Sequence, residues 1–125
     1  MDFRFAPEET EFRREICDFL RQELPAWWEG IESLTTEEGW AFYRSFVRKM
    51  GVKGWLNMHW PKECGGMSAS PMRQLVFTEE MAYHSAPAQI DLGPWVGSTI
   101  IVHGTADQKK KYLPGIATGE AEWCI

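Results

Sequence analysis

Apolar side chains recur every four residues at Phe12, Ile16, Leu20 and Leu24, with Phe19 beside them, and the positions between are mostly Glu, Arg, Asp and Gln. That spacing places one apolar stripe on an otherwise charged helix. Ala6-Pro7-Glu8-Glu9 opens it with proline at the first helical position and acids in the first turn, and Pro25 ends it. A second stripe, Trp40, Tyr43, Phe46, Val47 and Met50, follows Thr35 or Thr36 as N-cap and Glu37-Glu38, with Gly51 as the expected stop. Between the two helices, Trp27 to Leu34 reads as a connecting loop. Residues 51–70 hold Gly51, Gly54, Pro61, Gly65, Gly66 and several serines, the composition of irregular backbone.

Ser70-Pro71 pairs a cap with a first-turn proline and starts a third helix through Leu75, Val76, Glu79, Ala82 and Tyr83 to about Ser85, closed by Pro87. Gly93-Pro94 and Gly97 interrupt an apolar stretch in which Trp95 to Val102 is expected to form a short buried helix. Thr105 caps a fifth element, Ala106 to Leu113, ahead of Pro114-Gly115, and Glu122-Trp123-Cys124-Ile125 reads as the possible start of a strand over 120–125. No run of alternating strands and helices is present, so the fold class is all-α: one domain over 1–125, a compact cluster of about five helices with long irregular loops.

Composition changes this picture little. The 125 residues are 44% apolar and 25% charged, values of an ordinary globular domain, and the net charge of −5 with dispersed Lys and Arg argues against a nucleic-acid partner. Cys17, Cys64 and Cys124 are odd in number and widely spaced, without a disulfide framework or a paired-cysteine metal motif, which fits a reducing cytoplasm. No apolar run approaches the roughly 20 residues that span a bilayer, and the first residues lack the pattern of a signal peptide. Seven tryptophans are unusual, and each needs a partner for its N–H; bulky packing accounts for most of them, and a stacking surface for a planar ligand is the other use.

Chemistry is sparse. Glu79 and Glu80 are neighbours about 100° apart on a helix and do not converge on one substrate, so one is expected to face solvent and the other to pair within the domain. His59, His84 and His103 have no metal-motif spacing, and no metal site is expected. His59 is expected to be a loop residue bonded to backbone. Ser98 follows Gly97, but Ile100 stands where a nucleophile elbow needs a second glycine. Gly65-Gly66 lacks the rest of a phosphate loop and reads as a turn with positive φ, and Lys109 to Lys111 as a solvated face. No residue is assigned a catalytic role.

Three segments together resemble one family. Gly54-Trp55 with Trp60-Pro61-Lys62-Glu63-Cys64-Gly65-Gly66 resembles a loop of the acyl-CoA dehydrogenases, in which an aromatic residue usually stands where Cys64 does. Glu79-Glu80-Met81-Ala82 resembles their acidic pair in the third long helix. His103-Gly104-Thr105-Ala106-Asp107-Gln108 through Pro114, then Gly119-Glu120, resembles the block that follows. The order and spacing carry the resemblance over positions 8–125.

The resemblance implies a helical N-terminal domain that forms one wall of the acyl pocket and part of the subunit packing. In such enzymes FAD lies between a middle β-domain and a C-terminal helical bundle, a glutamate of the C-terminal portion removes the α-proton of an acyl-CoA, and electrons pass to an electron-transfer flavoprotein. This sequence stops at Ile125, before the flavin-contacting stretch and the catalytic glutamate, so the chain alone is expected to be inactive and to need the remaining domains or subunits, as a homo-oligomer. By matching position, Gln89, Leu92, Gly93 and Val96 resemble residues facing the acyl tail, their alternative being ordinary packing, and Ile125 resembles a contact to the flavin ring. Small residues at Gly93 and Gly97 would leave room for a bulky or branched acyl group. A non-catalytic helical interaction module, or one subunit of a heteromeric dehydrogenase, is the alternative reading.

Overall fold

The structure, a computed structural model, describes residues 5–87 and 91–124; Gln89 and Ile125 lie outside the described residues. Five helices carry the fold: α1 (Pro7–Glu23), α2 (Glu37–Val52), α3 (Pro71–Tyr83), α4 (Gly93–His103) and α5 (Ala106–Thr118). Among the described residues there is no strand, and the architecture is all-α as the patterning requires.

The stripe of α1 does what its spacing predicts: Phe12, Ile16, Phe19 and Leu20 are buried. They meet Tyr43, Phe46, Val47 and Met50 of α2 and Val76 and Met81 of α3 in the principal core. Trp55, in the loop after α2, is the hub of that core, with its ring edge-on to Phe12, Phe19 and Phe77 at centroid distances of 5.7, 5.2 and 5.8 Å. Burying one such large side chain is worth about 1.5–3 kcal/mol, so this cluster carries most of the stability of α1 to α3. A second core joins Trp60 to Leu113, Ile116 and Ala117 of α5, with Val96, Ile100 and Ile101 of α4 packed against it.

Local caps fall where expected. The side chains of Thr36, Ser70 and Thr105 accept from the backbone N–H of Gly39, Arg73 and Gln108, and Gln108 completes a capping box by accepting from the Thr105 N–H. Gly65 has φ 89°, the left-handed turn read from its glycine pair.

Four expectations need correction. The segment 27–34 is not all loop, because Ile31–Thr35 forms a 3-10 helix. Gly51 does not stop α2, which continues to Val52; a β-carbon there would lie 2.6 Å from the Thr118 carbonyl carbon, so Gly51 is the point where α2 and α5 touch backbone to backbone. The left-handed turn comes later, at Gly54. α5 does not end before Pro114 but runs through it to Thr118, because the turn beyond the proline buries Ile116 and Ala117. That burial offsets the hydrogen bond the proline cannot make, and the proline itself is exposed. Finally, α4 forms but is not buried. Only Gly93 and Gly97 of it are buried, and Trp95 and Val102 are 77% and 70% exposed.

Candidate functional site

Of the residues carried by the resemblance, Leu92, Gly93 and Val96 lie at the start of α4. The Asp91 side chain accepts from the Gly93 N–H, and the Leu92 carbonyl accepts from Trp95 and Val96, which turns the chain into the helix. The Leu92 N–H donates to the Trp123 carbonyl at 3.1 Å, a single backbone bond that ties the C-terminal segment to the α4 entrance. Segment 120–124 makes no helix and no strand ladder within the described chain. Leu92 and Val96 are half-buried and Gly93 is buried.

Between α4, α5 and that segment lies a groove of about 380 Å³, walled by Val96, Thr99, Ile100, Tyr112 and Trp123, with His103 at its rim. Val96 is the substrate candidate that lines it. The Trp123 ring stands edge-on to Tyr112 at 5.7 Å, and its Nε1 is a buried donor without an acceptor among the described residues. An unpaired buried N–H costs about 1–3 kcal/mol, so the packing of Trp123 against the groove comes at some cost in stability.

Gly97 behaves differently from the expectation of spare room. A β-carbon at 97 would collide with the indole of Trp60, whose Nε1 donates to Ser98 Oγ at 3.3 Å. The space that this glycine leaves is filled by protein. Ser98 in turn donates to the Pro94 carbonyl at 2.8 Å, a structural role and not that of a nucleophile. The glycine pair likewise packs on protein: a β-carbon at Gly65 would lie 2.6 Å from that of Ala117, and one at Gly66 would strike the Trp60 backbone. It forms no open phosphate cradle.

A larger apolar cavity, about 480 Å³, lies elsewhere, between the 27–34 connection and α3. Tyr43, Met50, Leu56, Phe77 and Met81 form its floor and Pro87 its edge, and Trp28, at its mouth, donates from Nε1 to the Ser85 carbonyl at 2.7 Å. Its lining comes from four separated stretches of chain, so no local motif announces it. Pro87, which lines this cavity, stands two positions before Gln89 in sequence.

Glu79 and Glu80 converge on a partner after all. Glu79 is exposed and Glu80 buried, as neighbours on a helix should be, yet both accept from the Arg13 guanidinium: Glu79 at 2.7 Å and Glu80 through Oε1. Burial opposes the charged form of Glu80, but the hydrogen bonds from Cys17 and Arg13 and the charges of Arg13 and His84 together hold its carboxyl below the usual range. A carboxylate committed in this way is no general base.

Comparison with known proteins matches this geometry to a family. The family model described as "Acyl-CoA dehydrogenase, N-terminal domain" matches residues 6–120. The chain is 37% identical over 127 residues to "Acyl-CoA dehydrogenase FadE26" of Mycobacterium tuberculosis, covering 100% of this chain and 32% of that protein. It is 36% identical to "Acyl-CoA dehydrogenase FadE29" of the same organism, covering 95% and 30%. Among solved structures, the ChsE4-ChsE5 complex from Mycobacterium tuberculosis superposes with TM-score 0.78 at 35% identity, over 98% of this chain and 30% of that one. The structure titled "Tcur3481-Tcur3483 steroid ACAD" gives 0.77 at 33% identity, over 98% and 32%. The chain thus spans about a third of the length of the relatives it matches.

Proposed function

This chain belongs to the acyl-CoA dehydrogenase family, matching its N-terminal domain, and from that premise we propose that it supplies the acyl-pocket wall and a subunit-packing surface of an enzyme that dehydrogenates an acyl-CoA at its α,β carbons. The observation that carries this reading is α4. A helix apolar on every side, with Trp95 and Val102 in the open, is a layer designed to be covered by more protein. Beside it, the groove at Val96 and Trp123 joins apolar side chains to a few polar ones, Thr99, His103 and Gln108, the composition of a ligand wall.

In this reading Gln89, Leu92, Gly93 and Val96 face the acyl tail, and Ile125 touches the flavin ring of FAD. The described residues do not form a cradle for its pyrophosphate, since the glycine pair is packed shut. FAD, when bound, supplies the hydride acceptor; this chain's residues exclude water and orient the thioester. The catalytic base, most of the flavin site and the surface for an electron-transfer flavoprotein belong to the remaining domains or subunits, and the chain alone is inactive. The 120–125 segment leads into the β-domain. Free cysteines at 17, 64 and 124 suit a reducing cytoplasm. No helix among the described residues is long and apolar enough to cross a membrane.

Two solved relatives are titled as two-component assemblies, and one as a steroid enzyme, which favours a heteromeric enzyme over a homo-oligomer and a bulky, ring-containing acyl group as substrate. Room for such a group does not come from Gly97, where the indole of Trp60 fills the space. The visible absorbance spectrum of the purified chain, with and without excess FAD, followed by a dye-coupled acyl-CoA assay, tests the proposal. A colourless, inactive chain that gains flavin and activity with the complementary polypeptide supports it. Flavin retained by the chain alone overturns the division of labour.

A further inference from the structure

The helices α1 and α3 bring together three side chains that lie far apart in sequence. Cys17 Sγ donates to Glu80 Oε2 at 3.1 Å, and His84 Nε2 lies 3.7 Å from the same oxygen. All three potential ligand atoms fall within 4.8 Å of one another. Glu80 stands in the last turn of α3, and His84 is the C-cap residue four positions on. The His84 N–H still donates to the Glu80 carbonyl, which keeps the two on one side, and Cys17 reaches them from α1.

We propose that Cys17, Glu80 and His84 form a site for a transition-metal dication of the zinc type, fastening α1 to α3. The ligand chemistry decides the metal class. One thiolate, one imidazole and one carboxylate oxygen suit zinc or a close neighbour such as cobalt, whereas magnesium and calcium require oxygen throughout. The geometry is near that of a bound site. Metal–ligand bonds of about 2.0–2.3 Å at tetrahedral angles put neighbouring ligand atoms about 3.4–3.6 Å apart. The two observed separations, 3.1 and 3.7 Å, bracket that value. The remaining pair, the thiol and the imidazole, lies within 4.8 Å, and the exposed His84 ring closes it by turning from its edge-on contact with Tyr83 toward Cys17.

Charge and access agree with this assignment. Arg13 holds Oε1 of Glu80 and also Glu79, leaving Oε2 for the other two ligands. Two carboxylates against one guanidinium leave one negative charge in the free protein, and loss of the Cys17 proton on metal binding makes two, which a dication neutralises. Binding releases the Cys17 thiol proton, and any proton on His84, to solvent without a redox change. The exposed His84 side gives an entry path and a fourth position for water. This role is independent of acyl-CoA chemistry.

The test titrates the purified chain, stripped with a chelator, with cobalt(II). One equivalent is expected to produce a thiolate-to-cobalt charge-transfer band with the strong visible bands of a tetrahedral site, both erased by zinc(II). Cys17→Ser and His84→Gln should each abolish the charge-transfer band or weaken zinc binding at least about tenfold, while Cys64→Ser with Cys124→Ser leaves both intact. Glu80 is left unmutated because its ion pair supports the fold. If Cys17→Ser fails to fold by circular dichroism, the exposed His84→Gln variant decides. Absence of the band in the unaltered chain, or its persistence at full affinity in His84→Gln or in folded Cys17→Ser, overturns the site.

Discussion

The indole of Trp60 lies directly over the backbone of Gly97, in the volume where any other residue would place its β-carbon. This contact seats α4 on the second core, and the Trp60 N–H bond to Ser98 adds a polar tie one residue on. Gly97→Ala is therefore expected to lower stability by roughly 1–3 kcal/mol, because neither the ring, 2% exposed, nor the helix backbone has room to withdraw. Chemical denaturation followed by tryptophan fluorescence measures it; an unchanged midpoint would show that α4 floats free of Trp60.

The ion pair between Arg13 and Glu80 carries a pH signature. The folded carboxyl of Glu80 sits below its ordinary value of 4.5, so its stabilising contribution is present above that value and is lost as pH falls through the lower folded value. Burial works against this, and the hydrogen bonds from Cys17 and Arg13 overcome it. Arg13→Ala, measured on the chelator-treated chain at neutral pH, should cost about 1–3 kcal/mol, since it strands a buried acid. The variant should also show a smaller loss of stability on acidification below pH 4.5 than the unaltered chain. Parallel acid-unfolding curves would contradict the pairing.

Trp95 and Val102 contribute little to the chain by itself because they pack on little of it. Replacing both with serine should change stability by no more than about 0.5 kcal/mol each and reduce self-association in sedimentation. The same double variant is expected to lose assembly with the remaining domains or subunits. If it assembles normally, α4 is not the covered face.

Val96 stands on the wall of the groove beside Trp123. In the assembled enzyme, Val96→Phe should fill that groove and lower kcat/KM for a bulky acyl-CoA by about 10–200-fold, with a much smaller effect on a short one. Equal effects on both substrates would remove Val96 from the acyl pocket.

Much of this fold was legible because its causes are local. The Phe12, Ile16 and Leu20 stripe is a matter of helical period, and the caps at Ser70 and Thr105 need only a hydroxyl three residues ahead of the N–H it accepts from. The family was legible for a similar reason: its motifs are short runs, Trp60 to Gly66 and His103 to Pro114, each readable without knowing where the chain goes next.

What the amino-acid order alone did not decide depends on partners distant in the chain. Gly51 looks like a helix terminator until Thr118 arrives against it, and Pro114 looks like one until Ile116 and Ala117 find Trp60. Gly97 reads as open space and is filled from position 60. Cys17, Glu80 and His84 carry no metal-motif spacing, because Cys17 meets Glu80, 63 positions along the chain, only by the packing of α1 on α3. Local sequence sets which backbone conformations are cheap; which glycine becomes a contact and which carboxylate gains partners is settled by the burial free energy of elements that meet only in the folded chain.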